Sequence, residues 1–116
     1  MIALAERSDM AGYQRYIQQL EESHGWLEVD LVHNCFLMGE EVGELFKAIR
    51  RYQEYYDEKG DPSPPDREGR RQAVAEELVD VFNYLLALAN RLDIDLEQSF
   101  RSKNARNQQR VWKSPS

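Results

Sequence analysis

Apolar residues recur at gaps of three and four along almost the whole of this chain, and no run of alternating apolar and polar residues persists anywhere. The first spacing is that of one helix face, and the missing one is that of a half-buried strand, so an all-α, four-helix-bundle-like fold is expected. The first helix follows Ser8 or Asp9, either of which can cap it, and runs to about His24, where Gly25 stops it. Tyr13, Tyr16, Ile17 and Leu20 form its apolar stripe. The second covers about 28–56 and is expected to bury Val29, Val32, Phe36, Val42, Leu45, Phe46 and Ile49, with Cys35 and Met38 also read as core. A loop is expected over about 58–69, where KGDPSPPDREG collects three prolines and two glycines that cannot continue a helix. The third helix covers about 70–92, with Val74, Leu78, Val81, Phe82, Leu85, Leu88 and Leu92 as its buried stripe. Asp93 or Asp95 caps the fourth, which runs to about 110 before the tail VWKSPS.

At 116 residues the chain has room for one domain, 1–116, with its core at about 29–110. A hydrophobic share of 41% against 31% charged residues fits a globular chain, and a formal charge of −6 argues against a general binder of nucleic acid or anionic membrane. Any anionic ligand must therefore be held locally. The single Cys35 allows no internal disulfide, no basic-plus-apolar leader opens the chain, and the longest apolar run, near Leu85 to Ala89, is far short of a bilayer span. A soluble, cytoplasmic protein is the expectation.

Four carboxylates break the apolar stripes. Glu41 and Glu44 stand three apart in the second helix, Glu77 and Asp80 three apart in the third, and in each case the same stripe continues with apolar residues. Leu37 and Ala48 flank the first pair; Ala73, Tyr84 and Ala87 flank the second. A solvated face would carry Lys, Gln or Glu there. Carboxylates inside a bundle cost several kcal/mol each to desolvate, and no Lys or Arg shares these stripes to offset that. A cage of hard oxygen ligands suits Mg²⁺, with Mn²⁺ as the alternative, and Mg²⁺ commonly completes its shell with substrate phosphates. A nucleoside polyphosphate is the natural guest. Other chemistries lack their residues: di-iron bundles need a histidine three residues after a glutamate on two helices and His33 has none, one cysteine and two distant histidines make no zinc site, and GxxxxGK[ST], GxSxG and GxGxxG are absent.

The motifs EExxE, at Glu40-Glu41-Val42-Gly43-Glu44, and ExxD, at Glu77-Leu78-Val79-Asp80, followed by KNARNQQR, resemble the MazG-type all-α nucleoside triphosphate pyrophosphohydrolases, whose relatives act on dCTP and dUTP. The likeness extends from about Val29 to Arg110, and the segment between the motifs, with its proline loop, is longer than is common in that family. It implies hydrolysis of the α–β phosphoanhydride with Mg²⁺, giving a nucleoside monophosphate and pyrophosphate. Glu41, Glu44, Glu77 and Asp80 would be the metal ligands, and Glu40 and Glu41 the catalytic carboxylates, Glu40 binding a further metal or orienting the attacking water. Such a reaction needs no covalent nucleophile.

Lys103, Asn107 and Arg110 fall at i, i+4 and i+7 on one face of the last helix and are candidate phosphate contacts; a solvated basic helix end is the plainer reading. For the base, Trp26, Asn83 and Tyr84 are candidates, with His33 and Asn34 beside them. The competing readings are a phosphoribosyl-ATP pyrophosphohydrolase and a non-catalytic helical module binding a metal, a nucleotide or a partner. A chain of this size is also expected to associate as a homodimer or homotetramer, with Tyr52, Tyr55, Tyr56 and Trp112 as outward contacts.

Overall fold

The computed structural model describes residues 2–54 and 66–110. Four α-helices and one 3-10 turn follow in order: α1 (Met10–His24), the turn Trp26–Glu28, α2 (Leu31–Tyr52), α3 (Arg67–Arg91) and α4 (Leu96–Gln108). Among the described residues there is no strand, so the all-α fold stands. Among the described residues no helix is long and apolar enough to cross a membrane.

An aspartate begins every helix. Asp9, Asp30, Asp66 and Asp95 each accept a backbone N–H three residues on, from Gly12, His33, Gly69 and Gln98. These caps fix the boundaries: α2 starts after Asp30, since Glu28 belongs to the 3-10 turn, and α3 starts at Arg67, a turn before the proline pattern suggests. Asp95 caps α4, while Asp93 adopts a left-handed φ of 57° and turns the chain out of α3. Gly25 does the same after α1 at φ 72°, its N–H returning to the carbonyls of Glu21 and Glu22. The expected loop falls largely outside the described residues, as do Tyr55, Tyr56 and Trp112.

α3 is the central rod. α2 lies along it most extensively, α1 packs on it as well, and α4 rests on α1. Arg67 at the start of α3 donates to the Tyr52 hydroxyl at the end of α2 (2.8 Å) and lies over its ring, and Arg70 pairs with Glu54 at 3.2 Å, so α2 and α3 form an antiparallel hairpin. Ile17, Leu86 and Ala87 form the core between α1 and α3, with Tyr13, Tyr16, Leu20, Phe82 and Leu96 packed around them. Gln14 ties three elements together: its amide donates to Asn90 and to the carbonyl of Ile94, and its oxygen accepts from Leu96 N–H.

Much of the apolar stripe expected to be buried is not. Phe36 is 70% exposed and Phe46 62%, and Val32, Ile49, Leu78, Leu85 and Leu92 are exposed as well, as is Cys35. On α2 these residues lie on the side away from the α3 contact, where Asn34 and Ala48 are buried. Periodicity identifies residues that share a face; it does not say whether this chain covers that face.

Candidate active site

The hairpin brings the two acidic motifs together. Glu41 of α2 and Glu77 and Asp80 of α3 present carboxylate oxygens that all lie within 4.8 Å of one another. Such crowding has an electrostatic signature. The Glu77 carboxyl is pushed above its ordinary range, first by loss of solvation and then by the negative charges of Asp80, Glu41 and Glu44. Its Oε2 is buried without a hydrogen-bond partner. Glu44 is exposed and stands outside the tight trio, though its charge acts on Glu77. Glu40 is exposed too, and its charge is felt at Tyr84.

Glu41 and Asp80 also line a cavity of about 500 Å³ between α1, α2 and α3. That volume suits a small molecule the size of a nucleoside. Ile17, Glu21, Asn34 and Ala87, all buried, make its inner wall; Trp26, His33 and Asp80 are exposed members nearer solvent. Tyr84 connects the acidic part with the inner wall. Desolvation raises its phenol, and Glu41, Glu40, Asp80 and Glu21 add to the effect, so the hydroxyl stays a protonated donor. The Trp26 ring stacks against His24 at 4.4 Å, which gives one aromatic wall a fixed backing.

Of the residues singled out from sequence, Glu41, Asp80, Trp26, His33, Asn34, Asn83 and Tyr84 meet at the cavity, with Glu77 beside it. Lys103, Asn107 and Arg110 do not line it; the first two sit on α4, where the Asn107 amide donates to Asn104 at 3.2 Å, while α4 ends at Gln108 and Arg110 lies past it. Glu21 escaped sequence reading. It stands one turn after Ile17 on the apolar stripe of α1, the same signal that marked the other carboxylates. Its partner, Arg91, lies 70 residues away.

The MazG nucleotide pyrophosphohydrolase domain matches residues 34–112, from within α2 to beyond α4. This chain belongs to that family. The uncharacterized protein YvdC of Bacillus subtilis (strain 168) is similar to it, 30% identical over 94 residues that cover 80% of this chain and 87% of YvdC. Within this MazG domain both acidic motifs fall inside the match, whereas α1, with Glu21, precedes it.

Proposed function

We propose that this chain hydrolyses nucleoside triphosphates at the α–β phosphoanhydride, releasing a nucleoside monophosphate and pyrophosphate in a Mg²⁺-dependent reaction. The observation that carries this reading is the trio Glu41, Glu77 and Asp80, within 4.8 Å, opening on a cavity of nucleoside size. The donor set fits a hard divalent cation: every donor is a carboxylate oxygen, and one of them, Glu77 Oε2, is buried with no hydrogen bond. Glu41, Glu77 and Asp80 would hold Mg²⁺, with Glu44 extending the set, and Mn²⁺ would substitute. The ion, when bound, supplies charge neutralisation for the phosphates and the leaving pyrophosphate.

The chain's own groups do the rest. Glu40, at the edge of the acidic cluster, orients the water that adds to the α-phosphorus and takes its proton as the bond to the bridging oxygen breaks. Tyr84, held protonated, donates a hydrogen bond to the bound nucleotide beside the cluster. Trp26, Asn83, His33 and Asn34 surround the base. Lys103, Asn107 and Arg110 are not among the residues lining the cavity, and they would reach the phosphates in an arrangement that adds to this single chain.

A second copy of the chain is the natural addition. The surface this chain leaves uncovered is apolar where the helices are longest: Val32, Phe36 and Phe46 on α2, Leu78, Leu85 and Leu92 on α3. Two such hairpins related by a two-fold axis would cover each other's stripes.

The reaction is tested by incubating wild type and Glu41→Gln with a panel of NTPs and dNTPs plus Mg²⁺ and resolving the products. Monophosphate and pyrophosphate from wild type, with Glu41→Gln reduced at least about 100-fold, support the reading. Turnover of phosphoribosyl-ATP alone, or of nothing, overturns it.

A further inference from the structure

Glu21 is held in a manner its structural role does not account for. The residue is 7% exposed, and its Oε2 accepts from Arg91 Nη1 at 2.9 Å. Arg91 spends its other donors elsewhere, on the carbonyls of Trp26 (2.9 Å) and Val29 (3.4 Å), so the usual two-bond fork between guanidinium and carboxylate is not made. Glu21 Oε1 is left buried and without a hydrogen-bond partner. A buried carboxylate oxygen in that condition costs folding free energy. The oxygen belongs to a residue that lines the same cavity as Glu41 and Asp80. Arg91 neutralises the charge, so this part of the cavity accepts a neutral group with an N–H.

We infer that Glu21 is the specificity-determining residue for the base, selecting nucleotides whose base carries an exocyclic amino group, as cytosine and adenine do, over their oxo counterparts; this rests on the pyrophosphohydrolase reading above. The layout along α3 agrees. Asp80, Tyr84, Ala87 and Arg91 follow one another on a single stripe. From Asp80 to Ala87 the helix advances about 10 Å, the scale of a nucleoside monophosphate. With the phosphates at the acidic cluster, the base edge reaches the inner wall where Glu21 stands. Rotation about the broad terminal torsion of the glutamate is what would bring Oε1, buried in the free chain, to that edge. An amino group donates to it. An oxo group in the same place sets lone pairs against a carboxylate and is rejected.

The test is a ratio of kcat/KM values within one preparation, CTP against UTP and ATP against ITP, for wild type and Glu21→Gln with Mg²⁺. Each pair exchanges an amino for an oxo group, with the adjacent ring nitrogen changing from acceptor to N–H, and the ratio does not depend on the active fraction. Wild type is expected to favour the amino member of the better-accepted pair by about 10- to 100-fold, and Glu21→Gln to bring that ratio close to one. If wild type turns over triphosphates with no amino preference, or if Glu21→Gln keeps the wild-type ratio, the inference is overturned while the reaction stands. No turnover of any triphosphate overturns both. Should Glu21→Gln not fold, Glu21→Gln with Arg91→Met removes the charge left unpaired and is read in the same way.

Discussion

Glu77 faces three other carboxylates, Asp80, Glu41 and Glu44, and the consequences can be followed by pH. Its proton is held more tightly in the folded protein than at the ordinary value of 4.5. A carboxyl whose folded pKa is raised stabilises the fold while protonated, below that value, and the contribution is lost as pH rises through the raised pKa. Above that window the ionised group, facing Asp80, Glu41 and Glu44, is a net cost to the metal-free protein. Glu77→Gln is therefore expected to melt a few degrees higher than wild type at neutral pH in chelator, the scale on which about 1 kcal/mol moves a domain of this size. The gap closes as pH falls below 4.5. Added Mg²⁺ raises the melting temperature of wild type and not of the variant. Thermal melts across pH with and without Mg²⁺ check all three, and a variant less stable than wild type in chelator at neutral pH contradicts the account. The acidic pairs were legible in sequence for the same reason that they are strained: Glu41 between Leu37 and Ala48, and Asp80 between Ala73 and Tyr84, are carboxylates where a packed face demands apolar groups. Glu21 bears the same signal on the stripe of α1, but what gives it meaning, Arg91 and an open cavity, comes from other helices.

Among the elements, α1 is held to α3 by a buried ion pair, hydrogen bonds between Gln14 and Asn90, and a small core. Arg91 clamps Glu21 and the 3-10 turn at once, so cutting it back frees both. Arg91→Ala is expected to destabilise the protein by roughly 3–5 kcal/mol, because it leaves a buried carboxylate without its charge partner. Glu21→Leu with Arg91→Met should recover most of that loss, which denaturant melts of the single and double variants will show; equal losses in both would assign the cost to packing instead. The helices themselves were easily read, since aspartate caps and glycine or left-handed stops are local signals. The start of α3 was misplaced by a turn because prolines in 62–65 mark where a helix cannot be, while Asp66 marks where this one begins. The role of α4 was the least legible, because a face bearing Lys103, Asn107 and Arg110 says nothing of which neighbour it meets.

At the scale of the whole molecule, the apolar stripes of α2 and α3 remain without cover in one chain. Phe36 at 70% exposure and Phe46 at 62% stand on the same side of α2, with Gly39 and Gly43 between them open to close approach. We expect a homodimer at micromolar concentration by sedimentation, and a Phe36→Glu, Phe46→Glu double variant that sediments as a monomer and melts lower. Wild type that sediments as a monomer would remove the second copy from the account, and with it the covering of these stripes.

If water adds at the α-phosphorus beside Glu41, Glu77 and Asp80, as proposed, the position of the new oxygen in the products records it. Turnover of a preferred triphosphate with Mg²⁺ in heavy-oxygen water, read by mass spectrometry of the separated products, should place one heavy oxygen in the nucleoside monophosphate and none in pyrophosphate. Label in pyrophosphate, or release of nucleoside diphosphate and phosphate, would contradict it.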